Sequence, residues 1–285
     1  MKTSNKYIAL AALALLTLGF TACTQEEEFA PQIDSDAVRI SATIANLATR
    51  VTYGDEGATD FVSDDEILVV NTHSAEAADS ENRAVFAYDG TNWTATSGKL
   101  LWEEKTTNTF EAYYPATLDY TLPTDQSTSD KLAAADRMEA QAEADFDTEV
   151  QFEFEHVMAK VTFRITIIGT EFTATDKITA LKVVTNDGIE VITYANGNSY
   201  TAIITPYWYT SADETFVKVY MNNDEEPLTV KVPADFVGEE GGGFLPGTHY
   251  TFYLKVGKNK LTLTPVGTDT DFPGGWNNDS EVELK

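Results

Sequence analysis

The sequence predicts an all-β protein of two tandem β-sandwich domains, and three observations carry that prediction. Short segments that alternate apolar and polar residues recur from Val38 almost to the C-terminus, and period-two alternation marks strands buried on one face of an antiparallel sheet. Turn chemistry separates these segments, and strands at short, regular spacing fit sandwiches or barrels. Only one stretch, "SDKLAAADRMEAQAEAD" (129–145), is rich in helix formers. Its apolar residues are so sparse that it reads as at most a short surface helix.

Residues 1–22 read as a secretory leader. Lys2 and Lys6 make a positive start, Ile8 to Phe20 an apolar run, and Thr21 and Ala22 are the small residues before Cys23. This is the layout of a signal peptide, and the run is shorter than the ~20 apolar residues that cross a bilayer. Small residues ending on a cysteine resemble a bacterial lipobox, although Phe20 stands where that pattern usually has Leu. The likeness makes Cys23 the first residue of the mature chain and the carrier of acyl chains such as palmitate.

Cys23 is the single cysteine, so no disulfide can form within the chain. A reactive thiol needs electropositive surroundings; Glu26, Glu27 and Glu28 supply the reverse, which favours a lipid anchor. An intermolecular disulfide is the other reading of a lone exported cysteine. In diderm bacteria, acid placed just after a lipidated cysteine resembles the signal for the outer face of the outer membrane. Residues 23–37 then form a flexible acidic tether.

Beyond the tether, "VRISATIA" (38–45) puts Val38, Ile40, Ala42 and Ile44 on one face. "EILVV" (66–70) is a short buried strand. "AVFAYDGTNWTA" is a hairpin whose Asp89-Gly90 supplies the positive φ angles of a tight turn. "NTFEAYYP" is a further strand, ended by Pro115. In "HVMAKVTFRITII", Val157, Ala159, Val161, Phe163, Ile165 and Ile167 share one face, with Lys160, Thr162, Arg164 and Thr166 opposite. "ITALKVVT", "SYTAIIT", "TFVKVYM", "PLTVKVP", "YTFYLKV" and "KLTLTPV" follow. A boundary near Glu149 divides an N-terminal sandwich (38–148) from a C-terminal one (149–285). The end of the chain reads as a loop, closed by one brief alternation at Val282 and Leu284.

Bulk properties exclude several functions. Losing the leader removes Lys2 and Lys6 and leaves 17 basic against 46 acidic side chains, a net charge of −29. General affinity for nucleic acid rests on neutralising phosphates and is excluded, and an electrostatic hold on anionic lipid is disfavoured. Such acidity favours solubility and mutual repulsion. The 42% of hydrophobic residues belongs to a globular chain.

No catalytic constellation is legible: there is no HExxH, GxSxG, P-loop or glycine-rich dinucleotide turn. The reading is a non-enzyme without cofactor. His73, His156 and His249 lack metal-ligand spacing. Asp60, Asp64, Asp65 and Glu66 in "TDFVSDDE" offer oxygens to calcium but lack the spacing and glycine of an EF-hand loop, and a solvated strand-entry turn explains them. Carboxylate pairs of the kind that hydrolyse glycosides arise by chance among 46 acids. Trp93, Trp102, Trp208 and Trp276 lie beside apolar residues, so packing accounts for them, and Trp208 is expected in the core. Tyr207-Trp208-Tyr209 differs, because neighbouring strand residues point to opposite faces. At least one of these rings should be exposed unless another layer covers it. An alternative function follows, a non-catalytic surface lipoprotein that stacks glycans on Tyr207, Trp208 and Tyr209.

Taken together, "ISATIANLATR", "DFVSDDEILVV", "FAYDGTNWTA", "LLWEE", "FEAYYPAT", "FEFEHVMAKVTFRI" and "FLPGTHYTFYLKV" resemble the fimbrillin family, the type V pilus subunits and their Mfa-like relatives. Asp64 stands where many relatives have Gly. The resemblance runs from about residue 38 to the C-terminus. It implies two transthyretin-like Greek-key β-sandwich domains, export as a lipoprotein and assembly into a surface fimbria without catalysis. The partners it implies are other fimbrial subunits, the outer membrane through the lipid, and a trypsin-like arginine protease. In fimbrillins that protease cuts after an arginine and releases the first strand. The resulting groove, with its unpaired backbone, takes a strand from a neighbour. Arg39 and Arg50 are the candidates here. Cutting after Arg50 would free the whole "VRISATIA" strand and is preferred, the other reading of Arg50 being a partner for a carboxylate. Subunits at a tip or anchor need no cut. The tail 279–285, with two apolar residues, is too short to be the donor alone.

Overall fold

In the computed structural model the chain is described over residues 36–45, 60–73, 82–167, 176–222, 224–238, 243–257, 261–265 and 277–278. The leader, Cys23, the tether up to residue 35, Arg50, Trp276 and the tail 279–285 lie outside them. Strands dominate. The first seven are Arg39–Ile44 (β1), Glu66–Asn71 (β2), Arg83–Tyr88 (β3), Trp93–Lys99 (β4), Asn108–Tyr114 (β5), Met138–Ala144 (β6) and Glu149–His156 (β7). They form one sheet in the order β1-β7-β6-β5-β2-β3-β4. Val38, Ile40, Ile44, Ile67, Val69, Phe86, Phe110, Met138, Val150, Phe152 and Phe154 share its core. The sheet curls back on itself. Val38 N–H donates to Leu100 O (3.1 Å) and Trp102 N–H to Asp36 O (3.0 Å), so the chain leaving β4 meets the chain entering β1.

The expected short surface helix is present, but the strand after it and the place of the boundary differ from expectation. The stretch 129–145 holds a helix only at Ser129–Ala134 (α1), capped by the Thr128 hydroxyl, which accepts from Lys131 N–H. Its remainder is β6, with Met138 and Ala140 buried and Glu139, Gln141 and Glu143 exposed. Seven residues of register against β5, from Tyr114↔Met138 to Asn108↔Ala144, outweigh the helix propensity of Ala, Glu and Gln. The second concerns β7, which the boundary near Glu149 places in the C-terminal sandwich. It pairs in parallel with β1 instead, from Arg39↔Glu149 to Ile44↔Phe154. The change of sheet falls at residues 157–158. Alternation identifies a strand but not its partner.

The second group comprises Ala159–Ile167 (β8), Ile178–Val184 (β9), Glu190–Ile192 (β10), Tyr194–Asn196 (β11), Ser199–Ile204 (β12), Thr215–Met221 (β13), Leu228–Lys231 (β14), Thr248–Val256 (β15), Leu261–Pro265 (β16) and Asn277–Asn278 (β17). One sheet runs β10-β9-β13-β14 and the other β11-β12-β8-β15-β16, with β17 on β15. Between them lies an aromatic core of Phe163, Tyr209, Phe216, Phe236, Phe244, Tyr250 and Phe252. The polar face of β8 departs from the half-buried expectation: Lys160 and Thr162 are both about 1% exposed. Thr162 Oγ1 bonds Thr201 Oγ1 (3.0 Å) and His249 Nε2 (2.9 Å).

The connection between β5 and β6 ties the two groups. The Gln126 carboxamide takes Ile203 N–H on its oxygen and donates from its nitrogen to Ile203 O, both at 2.8 Å. One side chain thereby satisfies backbone groups of β12 that β11, paired only at Ser199–Thr201, leaves unpaired. Asp136 and His156, both buried, bond at 2.8 Å through Oδ1 and Nδ1 where the sheets change. Arg137 beside them donates to the Thr117 carbonyl (2.6 Å) and lies over the Tyr113 ring. That ring's hydroxyl is pushed up to about 12 by burial and by Glu111.

Candidate functional site

β1 is the element on which the first core depends. Its alternation turns Val38, Ile40 and Ile44 inward, with Ala42 half-buried and Thr43 exposed. Burying three such side chains favours the closed state by roughly 5–9 kcal/mol before entropy is counted. β7 needs β1 equally. From Glu149 to Phe154 its ladder partner is β1, while its pairs with β6 are His156↔Met138 and Glu155↔Glu139. With β1 gone, Val150, Phe152 and Phe154 would floor an apolar groove whose rim is an unpaired backbone.

Arg39 opens β1 and is largely exposed. Its guanidinium donates to Asp147 O (2.9 Å) and lies 3.8 Å from the Asp147 carboxylate. An exposed ion pair of this kind contributes little stability, so the side chain stays accessible to a protease. Arg50 and Cys23 lie outside the described residues. The far side of β1 faces a cavity of about 420 Å³ lined by Ala42, Thr43, Ile44, Phe61, Val62 and Tyr88, among others. Phe61 plugs its floor, with ring centroids 5.1 Å from Trp93 and 5.4 Å from Phe154. Nothing in the sequence announces this seam, because it joins residues 42–44 to residues 60–63 and 88–90 through the curl of the sheet.

The acidic turn leads into β2 and is internally satisfied. Asp64 has φ +78°, a left-handed conformation that glycine adopts without steric cost. The Asp65 carboxylate accepts Val62 N–H (2.7 Å) and Tyr114 Oη–H (3.3 Å). Burial holds that carboxyl above its ordinary range against the pull of both bonds. The three histidines are not brought together. His73 follows β2, and His156 bonds Asp136. His249 is buried beside Thr162, its pKa held well below the ordinary value by burial and by the Lys160 and Arg164 charges. Among the described residues no group of three or more His, Cys, Asp or Glu is arranged to hold a metal.

Tyr207, Trp208 and Tyr209 divide by face. Tyr207 and Tyr209 point into the aromatic core, their hydroxyls 3.0 Å apart, and the Tyr209 hydroxyl donates to Val184 O. Burial pushes both phenols well above their ordinary range. Trp208 is 44% exposed, which corrects the expectation that it lies in the core. Bridges Tyr207↔Phe244 and Tyr209↔Val237 fix the phase that turns it outward. Gly243 (φ +53°) lies against its base, where a Cβ would come within 2.9 Å of the Trp208 Cβ and 2.6 Å of Tyr207 O. A three-ring stacking platform is thus reduced to one ring.

Comparisons with known proteins agree with this geometry. The model of the fimbrillin-like family matches residues 49–269. The chain is similar to a Bacteroides ovatus protein named as a fimbrium tip subunit, Fim1C, at 29% identity over 126 residues; the match covers 42% of this chain and 23% of that protein. This chain therefore spans under a quarter of that relative's length. Two solved structures, each described as a cell adhesion protein, share the fold. The one from Bacteroides ovatus has 19% identity and a TM-score of 0.57, covering 81% of this chain and 96% of its own. The one from Bacteroides uniformis has 16% identity and a TM-score of 0.54, covering 80% and 95%.

Proposed function

Because the chain belongs to the fimbrillin-like family, we propose that it is a structural or adhesive subunit of a cell-surface fimbria, assembled by exchange of strands. One observation carries the reading: β7 is paired over Glu149–Phe154 by the first strand of the body, about 110 residues away in sequence. A single cut in the chain after β1 would detach that partner without disturbing another element. A neighbour's strand could then restore both the ladder and the apolar cover, which is β-strand addition.

In this reading the body is two tandem sandwich domains of the transthyretin-like type, changing at residues 157–158. Cys23 carries the lipid and the acidic stretch that follows it, up to residue 37, the tether, which puts the subunit at the outer membrane surface. A trypsin-like arginine protease cuts after Arg50, or after the exposed Arg39, and the partners are other fimbrial subunits. The subunit works without catalysis.

Incubating the purified protein with such a protease tests the reading. Release of an N-terminal fragment and appearance of ladders that resist SDS is the expected result; a cleaved protein that stays monomeric would contradict assembly by this route. Metabolic labelling with a fatty-acid analogue checks the lipid at Cys23, and its loss is expected in Cys23→Ser. Glycan binding keeps one supporting observation, the exposed ring of Trp208, and a glycan array on the Trp208→Ala variant decides it.

A further inference from the structure

β1 covers the floor of its groove with a series of side chains that runs large, small, large. Its ladder sets Ile40 beside Val150, Ala42 beside Phe152 and Ile44 beside Phe154. Residues directly opposite in a ladder share a face of the sheet, and this is the face of the first core. Ile40 and Ile44 are buried, yet Ala42 between them is only half-buried. The middle of an inward row should be its best-covered position, so the exposure of Ala42 marks a gap.

The gap is the 420 Å³ cavity beside β1, bounded by Ala42 and Ile44 on the strand and by Phe61, Val62 and Tyr88 across the seam. Ala42 ends at its Cβ and leaves this space unfilled. Phe61 is held by three other rings, Trp93, Tyr114 and Phe154, at 5.1, 6.0 and 5.4 Å between centroids. A ring fixed in this way cannot shift to meet a methyl group, because packed surroundings relax only partly into a void. The lining therefore lacks the contacts that a larger side chain would supply.

We propose that position 42 is the selective point of this groove: the strand that enters in place of β1 carries a branched aliphatic residue where β1 has Ala42, and that residue fills the cavity against Phe61. The inference rests on the strand exchange proposed above and gives it a direction. Once the chain is cut, β1 and an incoming strand offer β7 the same backbone ladder, so the backbone does not choose between them. The side chain at this one position does. Burying the two further carbons of a valine favours the newcomer about tenfold. Before the cut, covalent attachment keeps the alanine strand in place, since a tethered strand competes at a high effective concentration. A loosely fitting first strand thus serves as a plug that a better-fitting one displaces.

Two measurements test this. In the full, uncut chain, Ala42→Val should raise the thermal midpoint by roughly 2–4 °C, because the added carbons occupy space that is already there. Ala42→Thr has the same branching and a similar strand propensity but brings a hydroxyl, so it should gain clearly less. A midpoint that falls for Ala42→Val, or that rises equally for Ala42→Thr, overturns the proposal. The second measurement uses protein cut after Arg50, with the protease then inhibited. Synthetic peptides of residues 36–45, with and without Ala42→Val, compete there against a fluorescent copy of the unaltered peptide. The altered peptide should displace it at about a tenfold lower concentration. Equal concentrations overturn the proposal and leave strand exchange standing. Entry of neither peptide contradicts strand exchange itself, and this inference falls with it.

Discussion

The core of residues 38–154 is closed by one edge strand, whereas the core of residues 159–261 is closed by two facing sheets and interlocked rings. In the second, Phe236 and Phe244 stack at 4.6 Å, Phe244 meets Tyr250 at 4.9 Å, and Phe216 meets Phe252 at 5.3 Å. The rings come from β13, β15 and the segments around Phe236 and Phe244, so no single segment can leave without taking the core apart. In the first, β1 contributes Ile40 and Ile44 from the beginning of the body and is attached to it through only one subsequent connection. Under the proposed strand exchange, the exchangeable strand comes first in the body and the rigidity lies elsewhere, so opening and holding would fall to different halves.

The largest expected effect lies in the second half. Phe244→Ala should cost ~3–5 kcal/mol, as truncation of a fully buried ring does, read as a shift in the urea midpoint. A loss below ~1 kcal/mol would break the contrast, since surface changes cost no more than that. Ile40→Ala should cost about 2–4 kcal/mol. Its signature is local: hydrogen exchange should rise at the amides of β7 and stay unchanged in β15. Uniform acceleration would mean that the two cores open together.

Gln126→Ala tests the tie between the groups. It leaves the N–H and C=O of Ile203 without their carboxamide partner, at a cost of ~1–3 kcal/mol. Gln126→Glu should recover only the half of the pairing that accepts from Ile203 N–H. Next comes pH. The depressed pKa of His249 means that the unfolded chain takes up a proton below about 6.5 while the folded chain does not. Stability should accordingly fall as the pH drops from 6.5, by at most ~1.4 kcal/mol per unit, and His249→Gln should flatten that slope in denaturation curves at pH 7 and pH 5. Trp208→Ala should come last, within ~0.5 kcal/mol of wild type. A thermal shift of many degrees would show the ring to be packed after all.

Much of this was legible in the sequence. The inward face of β1, the hairpin at Asp89-Gly90 and the strands β13 to β16 follow from alternation and turn chemistry, which are local. β6 was not legible, because "MEAQAEA" has the composition of a helix and its strand state depends on β5. The partner of β7 was hidden for the same reason, since period two says nothing about pairing over a hundred residues. Lys160 shows a further limit: a polar residue on the outward face reads as solvated until the opposing elements are known. Trp208 was expected in the core, and its outward phase is set instead by the bridges of Tyr207 to Phe244 and of Tyr209 to Val237. At the candidate site, the strand and Arg39 could be read from the sequence, and the seam beside them could not.

The parallel direction of β1 and β7 has a mechanical consequence. Tension applied at the N-terminal end enters the body at Asp36 and is drawn along β1. If the far end of the load sits in the second group of strands, the path leaves through His156, the last residue of β7, into β8, which begins three residues on at Ala159. The pull then acts on the start of one strand and the end of its parallel neighbour. Those ends lie at opposite ends of the ladder, so the hydrogen bonds from Arg39 to Ile44 are sheared together, not peeled off one at a time. The same strand that one cut could release would thus resist being dragged out by force.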